Sequence, residues 1–422
     1  MQMVYERCAA VDVGKDVIAV AVRLPGDGPD GRITVRRTFR TLYGVLAEAA
    51  RWLASLGVTH VAMEATGIYS MPVYHALIEH GGFEKVLVCN AGHVKNVPGR
   101  KTDLADAEWL AHLLECGLLA GSFIPPAEIK AARDVIRYRA KVAQQRVSEI
   151  ARLGNVLQDA GIKIDSVASS IATKSGRAMI EALIDGERRG TVLAELAKGK
   201  MRAKIADLSM ALEGRFGDHH ALMCRLHLDH TDHLEAMITR LDAQIEAMMR
   251  PFQAARDLLA TTPGIGQLAA AAVISEIGTD VTGYFPGDAH LASWTGLCPG
   301  NHESAGKRRG GKRRKGNPHL QSILVECAWS AVRQDGYLKS LYHRHVMKWG
   351  GYRSPVAKNK AIVVVAHAMI VIIWHILATG KPYEELGADY FTRRLDPERE
   401  TRRLITRLEA LGHRVTLDAA AA

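Results

Sequence analysis

The sequence is poor in cysteine pairs and in aromatic residues. Its six cysteines are scattered over 422 residues without a C-x-x-C pair, so neither a zinc ribbon nor a disulfide framework is predicted. Aromatic residues make up 6% of the chain, fewer than a platform that stacks single-stranded bases would need. The first residues, MQMVYERCAAVDVG, lack a basic segment followed by an apolar one, so no secretion signal is predicted. We therefore expect a cytoplasmic protein.

Long apolar runs are also scarce, and residues 361–379, AIVVVAHAMIVIIWHILAT, form the one that approaches the length of a membrane span. The run contains His367 and His375, and the segment after it is soluble in character. A true span is usually about 20 residues long and free of ionisable groups. The run is therefore predicted to be a buried core helix, and no membrane partner is expected.

The charge of the chain is unbalanced towards the basic side. Lysine and arginine number 55 against 45 acidic residues, giving a formal net charge of +10. This balance favours a polyanionic partner, although charge alone does not separate DNA, RNA and an anionic membrane. With 48% hydrophobic residues the chain is predicted to be globular, and its length allows two or three domains.

Residues 1–125 alternate strand and helix signals. Three strands in succession, CAAVDVG, DVIAVAVRL and ITVRRTF, predict an antiparallel meander, and helix and strand patterns then alternate up to TDLADAEWLAHLLECG. The order βββαβαβα predicts an α/β domain of the ribonuclease H-like type, a mixed sheet flanked by helices.

Four carboxylates stand out in this first region. Asp12 ends the first strand and Glu64 ends VAMEAT, while Asp103 and Asp106 are three residues apart on a predicted helix and so share a face. Two strand carboxylates and two helix carboxylates suit a pair of Mg²⁺ ions that catalyse phosphoryl transfer. Alternatively, Asp103 is a helix N-cap with Asp106 as its partner, and Asp12 opens a turn.

Residues 126–250 change to long helices. Ile129, Ile136, Ala143, Ile150 and Leu157 recur every seven residues, and residues 234–248 follow a similar apolar spacing, which predicts an antiparallel coiled coil. The first helix also carries many basic residues, among them Arg133, Arg137, Arg139 and Arg146. A solvated face and contact with nucleic acid explain these side chains equally well.

Residues 251–345 are predicted to form a small helical domain, and residues 346–422 a mostly helical end. The stretch TTPGIGQLAAAAVISEIG resembles a helix-hairpin-helix element, in which Gly264 and Gly266 would let backbone N–H groups approach a DNA phosphate. Alternatively, the glycines serve only a tight turn between two packed helices.

A dense basic run, predicted to lie in a loop, follows Ser304. Seven of the nine residues from 307 to 315 are cations. They are Lys307, Arg308, Arg309, Lys312, Arg313, Arg314 and Lys315. The surrounding stretch fits neither a Walker A loop nor an esterase elbow, so neither ATP hydrolysis nor ester hydrolysis is predicted. The run would neutralise phosphates, but the residues alone leave Ser304 open as a nucleophile or an incidental serine.

Several motifs taken in order resemble the DEDD-type insertion-sequence transposases, described as bridge-RNA-guided recombinases. They are VDVGKD, EATGIY, RKTDLADAEWLA, TTPGIGQLAAAAVISEIG, LASWTGLCPG and HESAGKRRGGKRRKGNPHLQSILVECA. The resemblance implies a RuvC-like domain, a helical coiled-coil region and a small helical transposase domain. It implies that the family's acidic positions fall on Asp12, Glu64, Asp103 and Asp106, and its serine on Ser304.

The activity implied by the resemblance is excision and insertion of a mobile DNA element, guided by a noncoding RNA. Two Mg²⁺ ions on the acidic tetrad would activate strand cleavage, and Ser304 would form a covalent phosphoserine link that a 3′ hydroxyl later reverses. A homodimer or homotetramer is expected from symmetric strand exchange. The protein is expected to be associated with the prokaryotic nucleoid. The rival hypotheses are a RuvC-like nuclease or resolvase without serine chemistry and a non-catalytic nucleic-acid-binding protein.

Overall fold

The computed structural model describes residues 3–28, 31–89, 103–299, 302–304, 306–310, 315–393 and 397–417. For residues 103–104, 302–304, 307–310, 397 and 399–400 only the backbone is described. The chain forms two compact units, Met1–Ile124 and Pro125–Ala422. The first boundary falls beside the predicted one at residue 125, and the finer boundaries at residues 250 and 345 stay predictions.

The first unit is built on a five-stranded mixed sheet of order β3-β2-β1-β4-β5. Its strands are β1 (Cys8–Val13), β2 (Val17–Pro25), β3 (Arg32–Arg40), β4 (His60–Glu64) and β5 (Lys85–Cys89). The first three strands pair antiparallel, and β4 lies parallel to β1 and to β5. The predicted meander and the predicted order of strands and helices are confirmed, and the sheet is consistent with a RuvC-like domain.

The two faces of this sheet differ in side-chain size. One face buries branched residues such as Val11, Val20 and Met63 under α1 (Tyr43–Ser55) and α2 (Ser70–His80). The opposite face, under α3 (Asp103–Glu115), is lined mainly by small side chains. They are Cys8, Ala10, Ala19, Ala21, Ala62 and Cys89 on the strands, with Ala107 and Ala111 on the helix. Small residues on both surfaces allow a close approach of the helix to the sheet.

The C-terminal end of α3 is fixed to the sheet by a buried ion cluster. Glu115 accepts hydrogen bonds from Arg32 Nε at 2.6 Å and from Arg23 Nη2 at 3.1 Å. Burial alone would raise the pKa of Glu115, but the two arginines outweigh it and hold the pKa below its usual value. The ordinary helix stop at Gly117, where φ is +68°, follows immediately. The position of α3 along the sheet is therefore set at this end.

Within its described residues, the second unit is helical apart from one hairpin of β6 (His302–Ser304) and β7 (Lys307–Gly310). Its longer helices are α4 (Ala127–Asp159), α6 (Lys174–Ile184), α9 (Asp218–Met249), α10 (Gln253–Ala260), α11 (Gln267–Ile277), α13 (Asp288–Thr295), α14 (Pro318–Ala331), α15 (Tyr337–Lys348), α16 (Pro355–Thr379) and α18 (Pro397–Ala410). The shorter ones are α5 (Ile164–Val167), α7 (Gly190–Ala194), α8 (Ile205–Ala211), α12 (Val281–Tyr284) and α17 (Tyr390–Arg393). Short 3₁₀ segments occur at Gly199–Lys204 and Arg250–Phe252 in this unit and at Gly67–Tyr69 in the first.

The two longest helices, α4 and α9, pack along each other. Ion pairs join Arg139 to Asp242 and Arg146 to Glu235, and His220 Nε2 lies 3.0 Å from Asp159 Oδ2, so the numbering falls along α9 as it rises along α4. The predicted antiparallel pairing is therefore present. Of the predicted heptad, Ile129, Ile136 and Leu157 are buried, whereas Ala143 and Ile150 are half-buried.

The arginines of α4 have a role that the sequence did not suggest. Arg139 and Arg146 pair with α9, Arg152 pairs with Glu149, and Arg133 and Arg137 bind Glu276 of α11. Intramolecular ion pairs therefore account for these side chains better than a freely solvated face. Apart from Glu149, which is three residues from Arg152, these partners lie about 90 to 140 residues away, so no local pattern in the sequence indicated them.

The apolar run is the core helix α16. Residues such as Ala361, Val365, Met369 and Ile373 are buried, and Trp374 Nε1 donates to the carbonyl of Phe285 at 3.0 Å. By length and composition alone α16 could cross a membrane, but it packs against α13, α14 and α15 within the unit. The packing agrees with the predicted core helix.

We predict a pH-dependent contribution to stability from the buried Glu149. Burial alone would raise its pKa, but hydrogen bonds from His227, at 2.6 Å, and from Arg152 outweigh it and lower the pKa from 4.5 to about 2. This carboxylate should contribute fully above pH 4.5 and lose its contribution, roughly 3 kcal/mol, as the pH falls towards 2. Chemical denaturation of Glu149→Gln should accordingly give a flatter stability profile between these pH values.

The control is Glu235→Gln, which removes the half-exposed partner of Arg146. An exposed pair contributes at most about 1 kcal/mol, so its profile should follow that of the unsubstituted protein. Identical profiles for Glu149→Gln and the unsubstituted protein would contradict the assignment.

Candidate functional site

Asp12 and Glu64 lie side by side at one edge of the sheet. The parallel register of β1 and β4 ends with Val11 opposite Met63, and these two carboxylates follow in the next positions. Both belong to the face covered by α3, because Ala10 and Ala62, two residues earlier, are buried there. Adjacent strands are about 4.8 Å apart, so two half-buried carboxylates share one small region.

Cys89 lies opposite Glu64 at this edge of the sheet. It is the partner of Glu64 in the register of β4 and β5, and it is buried. Burial raises the pKa of the Cys89 thiol to about 11, and the negative charge of Glu64 adds to the effect. A neutral, buried thiol beside a carboxylate is a poor nucleophile and a poor ligand. Cys89 is therefore a packing residue of this edge.

Helix α3 brings its N-terminus to the same edge. The backbone N–H of Val4, four residues before β1, donates to the carbonyl of Glu115 at 2.8 Å, and the Cys8 thiol contacts that of Ala111 at 3.7 Å, so the numbering of α3 falls as that of β1 rises. The four residues from Cys8 to Asp12 advance about 13 Å along the strand, and the eight from Ala111 back to Asp103 about 12 Å along the helix. The backbone of Asp103 and the exposed Asp106, one turn later, therefore reach the level of Asp12 and Glu64.

The oxygen donors at this edge fit a hard divalent cation. Repulsion between the adjacent carboxylates of Asp12 and Glu64 would be relieved by a dication, and the positive end of α3 further favours negative charge there. Among the side chains that the structure describes, which exclude that of Asp103, no group of three or more metal-binding residues is already assembled. The edge thus supplies suitable ligands without a preformed cage.

Sequence reasoning missed two arginines on the same sheet face. The registers place Thr38 opposite Ala19, which is itself opposite Asp12, so alternate residues Arg36 and Arg40 of β3 belong to the face of Asp12. Arg36 forms an ion pair with Glu108 of α3, and Arg40 is exposed. Two strand spacings, about 10 Å, separate β3 from β1. The alternation in ITVRRTFR was the signal that could have revealed them.

Ser304 is the last residue of β6, next to the turn of a tight hairpin. Its backbone partner across the hairpin is Lys307, and Gly306 has a φ of +73° in the turn between the two strands. The basic run was predicted as a loop, so this start in a strand is a difference. Gly306 allows the chain to reverse direction here, and the charged residues around it made this turn hard to recognise in the sequence.

The cations of the run divide between described and undescribed residues. Lys307, Arg308 and Arg309 belong to the backbone of β7, and Lys315 is exposed before α14. Lys312, Arg313 and Arg314 lie outside the described residues. The proposed phosphate contacts of all seven stay predictions.

The PGIG segment forms the turn between α10 and α11. Gly264 has a φ of +84°, and a Cβ added to it would lie 2.3 Å from the carbonyl oxygen of Cys327 in α14. This close approach agrees with the alternative in which the glycine serves a tight turn between packed helices. Gly266, in contrast, is the exposed N-cap of α11 with open space around it, so backbone contact with a phosphate stays a prediction there.

Comparison with known proteins gave two family matches. Residues 9–162 match the DEDD_Tnp_IS110 family, described as a transposase, and residues 256–343 match the transposase IS116/IS110/IS902 family. Together the matches span more than half of the chain. The first includes all four acidic positions, and the second includes Ser304.

Individual proteins show the same similarity. A Pseudomonas aeruginosa protein named as a probable family 20 transposase is 26% identical over 380 residues, which cover 88% of this chain and 98% of the other. A candidate transposase of Sinorhizobium fredii, y4pF/y4sB, is 25% identical over 80% of this chain and 78% of its own length. The "Insertion element IS110 uncharacterized 43.6 kDa protein" of Streptomyces coelicolor is 27% identical over 34% of each chain.

We predict that substitutions of the two PGIG glycines differ in their effect on stability. Gly264→Ala should lower the free energy of unfolding by about 2–4 kcal/mol, because of the positive φ and the clash with α14. Gly266→Ser should leave it within about 0.5 kcal/mol, because serine is a good N-cap in extended backbone. Thermal denaturation measures both, and equal effects would contradict the packing role of Gly264.

Proposed function

The chain belongs to the IS110 family of DEDD insertion-sequence transposases, and from this premise we propose that it cuts and rejoins DNA through an acidic tetrad and a serine nucleophile. It is a DNA transposase enzyme. The observation that carries the proposal is the direction of α3, whose N-terminus lies at the sheet edge of Asp12 and Glu64. That arrangement supports a tetrad of Asp12, Glu64, Asp103 and Asp106.

The proposed role of the tetrad is to hold two Mg²⁺ ions. Carboxylate oxygens are the ligands that Mg²⁺ prefers, and two such ions stabilise both the attacking and the leaving oxygens of a phosphoryl transfer. Asp12 and Glu64 would supply ligands from neighbouring strands, and Asp103 and Asp106 would supply them from the first turns of α3. The exposed Arg40 would hold the DNA backbone beside the carboxylates, whereas Arg36 is engaged by Glu108.

Ser304 is proposed to be the nucleophile. Its Oγ forms a bond to phosphorus, the bond from phosphorus to the 3′ oxygen breaks, and that oxygen takes up a proton while the serine proton passes to water. A 3′ hydroxyl of the strand to be joined later attacks the same phosphorus and releases the serine. The phosphoserine link keeps a reactive ester bond for rejoining, which hydrolysis by water would not.

The basic run is proposed to neutralise the phosphates around the scissile bond. A phosphodiester resists attack until its charge is neutralised, and Lys307, Arg308 and Arg309 directly follow the serine turn. Gly266 would add a backbone N–H contact at the N-terminus of α11. These contacts position DNA without reading its sequence.

Sequence specificity is proposed to come from a noncoding guide RNA encoded beside the gene. Base pairing would then select the DNA, and the protein would supply backbone contacts and shape recognition. The low aromatic content of the chain, 6%, agrees with this division of roles. A homodimer or homotetramer acting in the cytoplasm would allow symmetric strand exchange.

We predict that Ser304→Ala abolishes a covalent protein–DNA adduct. The full-length chain is incubated with Mg²⁺, labelled DNA carrying the joined ends of its own element, and RNA transcribed from the flanking noncoding DNA. An adduct stable to denaturing gels should form and map to Ser304 by peptide mass spectrometry. Ser322→Ala, at an exposed serine of α14, is the matched control and should form the adduct normally.

Three other outcomes have defined meanings. Cleavage without an adduct, unaffected by Ser304→Ala, would replace the recombinase with a hydrolytic nuclease. An adduct that forms equally well without RNA would remove the guide RNA from the proposal. Binding with neither cleavage nor joining under any of these conditions would favour the non-catalytic hypothesis.

We also predict that Asp12→Asn slows adduct formation by at least about 10³-fold, because it removes a metal ligand. DNA affinity measured in Ca²⁺ should change by less than about 3-fold. If Asp12→Asn formed the adduct at the unsubstituted rate, the proposed tetrad would be wrong.

A further inference from the structure

A buried carboxylate lies beneath the root of the serine hairpin. The Glu276 side chain is only 1% exposed and belongs to the last turn of α11. A negative charge is unfavourable at a helix C-terminus and costly in the interior unless it is paired. Its position therefore requires cationic or hydrogen-bonding partners from elsewhere.

Helix α4 supplies two of those partners. Arg137 binds the Glu276 carboxylate with two hydrogen bonds, of 2.7 and 2.8 Å. Arg133 donates to the backbone carbonyls of Ser275 and Glu276 at 2.8 and 3.0 Å, and so caps the end of α11. These contacts tie the long helix to α11 at one place.

The third partner is the residue that ends the serine-bearing loop. Asn317 Nδ2 donates to Glu276 Oε2 at 2.6 Å, while its Oδ1 accepts from the backbone N–H groups of His319 and Leu320 as the N-cap of α14. One amide therefore begins a helix and also joins it to the buried carboxylate. Pro318, at the first helical position, favours the same start.

The other end of the loop is held against this one. Gln321 Nε2 of α14 donates to the carbonyl of Thr295 at 2.7 Å, where α13 ends at the left-handed Gly296. A Cβ added to Gly316 would lie only 2.3 Å from that carbonyl oxygen. The two chain segments that lead into and out of the serine hairpin are thus in direct contact. We call Thr295, Gly296, Gly316, Asn317 and Gln321 the hairpin root.

We propose that Glu276 and Asn317 are positioning residues, which hold the hairpin root on α4 and thereby fix where the Ser304 hairpin presents its nucleophile. The inference rests on the proposed role of Ser304. An error of about 1 Å in the approach of a reacting group costs on the order of 10²-fold in rate, so a loosened root should slow the chemical step more than it weakens binding.

Asn317→Asp is the sharpest test. Aspartate keeps the N-cap oxygen of α14 but replaces the donor to Glu276 with a second negative charge. We expect single-turnover adduct formation on the element-end DNA, with Mg²⁺ and flanking RNA, to slow by about 10–100-fold. DNA affinity should change by less than about 3-fold, because the substitution alters a contact within the protein rather than a proposed DNA contact.

Glu276→Gln provides the second variant and Asp242→Asn the matched control. Glutamine keeps the shape of Glu276 but loses its charge, and should also slow adduct formation. Asp242→Asn removes a different arginine–carboxylate pair of α4, that with Arg139, which does not involve the hairpin root. It should leave the rate unchanged, and equal slowing by all three would reduce the effect to general stability.

Hydrogen–deuterium exchange separates this inference from the proposed function. Both root variants should speed exchange in the peptide spanning residues 299–316 and leave α6 unchanged. If the variants exchange faster but the unsubstituted protein forms no adduct, Ser304 would not be the nucleophile. Glu276 and Asn317 would still hold the hairpin root in place. Unchanged exchange, or an adduct formed at the unsubstituted rate by Asn317→Asp, would overturn the inference.

Discussion

The close contact of α3 with the sheet is the constraint on which the acidic edge depends. Alanines on both surfaces, including Ala10, Ala62 and Ala107, leave the helix little freedom to shift or rise. The ion cluster around Glu115 fixes its far end. A larger side chain at this interface would push the helix away and separate its carboxylates from those of the strands. The proposed catalytic site therefore depends on the small, chemically inert side chains between α3 and the sheet.

The parts of the fold that follow from local patterns could be predicted from the sequence. Alternation predicted the strands, seven-residue spacing predicted the antiparallel pairing of α4 and α9, and the order of elements drew attention to Asp12 and Glu64. The partners of Glu276 could not be predicted, because Arg137 lies 139 residues away and no local pattern encodes such a pair. The serine hairpin was missed for a different reason, since its dense charges obscure the turn that Gly306 makes.

The net charge of +10 overstates how many arginines are available to a polyanion. Along α4 the arginines are engaged by carboxylates of the same unit, and two of those carboxylates, Glu149 and Glu276, are buried. Arginine suits this use because its planar donors match a carboxylate in fixed geometry. The α4 arginines thus stabilise the helices, while the cations near Ser304 and the exposed Arg40 of β3 lie in segments that are proposed to bind DNA.

The hairpin root also bears on how the molecule can change over generations. Because residues 296 and 316 already lie together, the chain between them closes a loop whose entropic cost grows only slowly, by about 0.6 kcal/mol for each doubling of its length. An insertion or deletion within this loop would therefore cost little stability as long as the contacts of the hairpin root are kept. Stability alone leaves the length of this segment free to change, whereas the proposed placement of Ser304 constrains it.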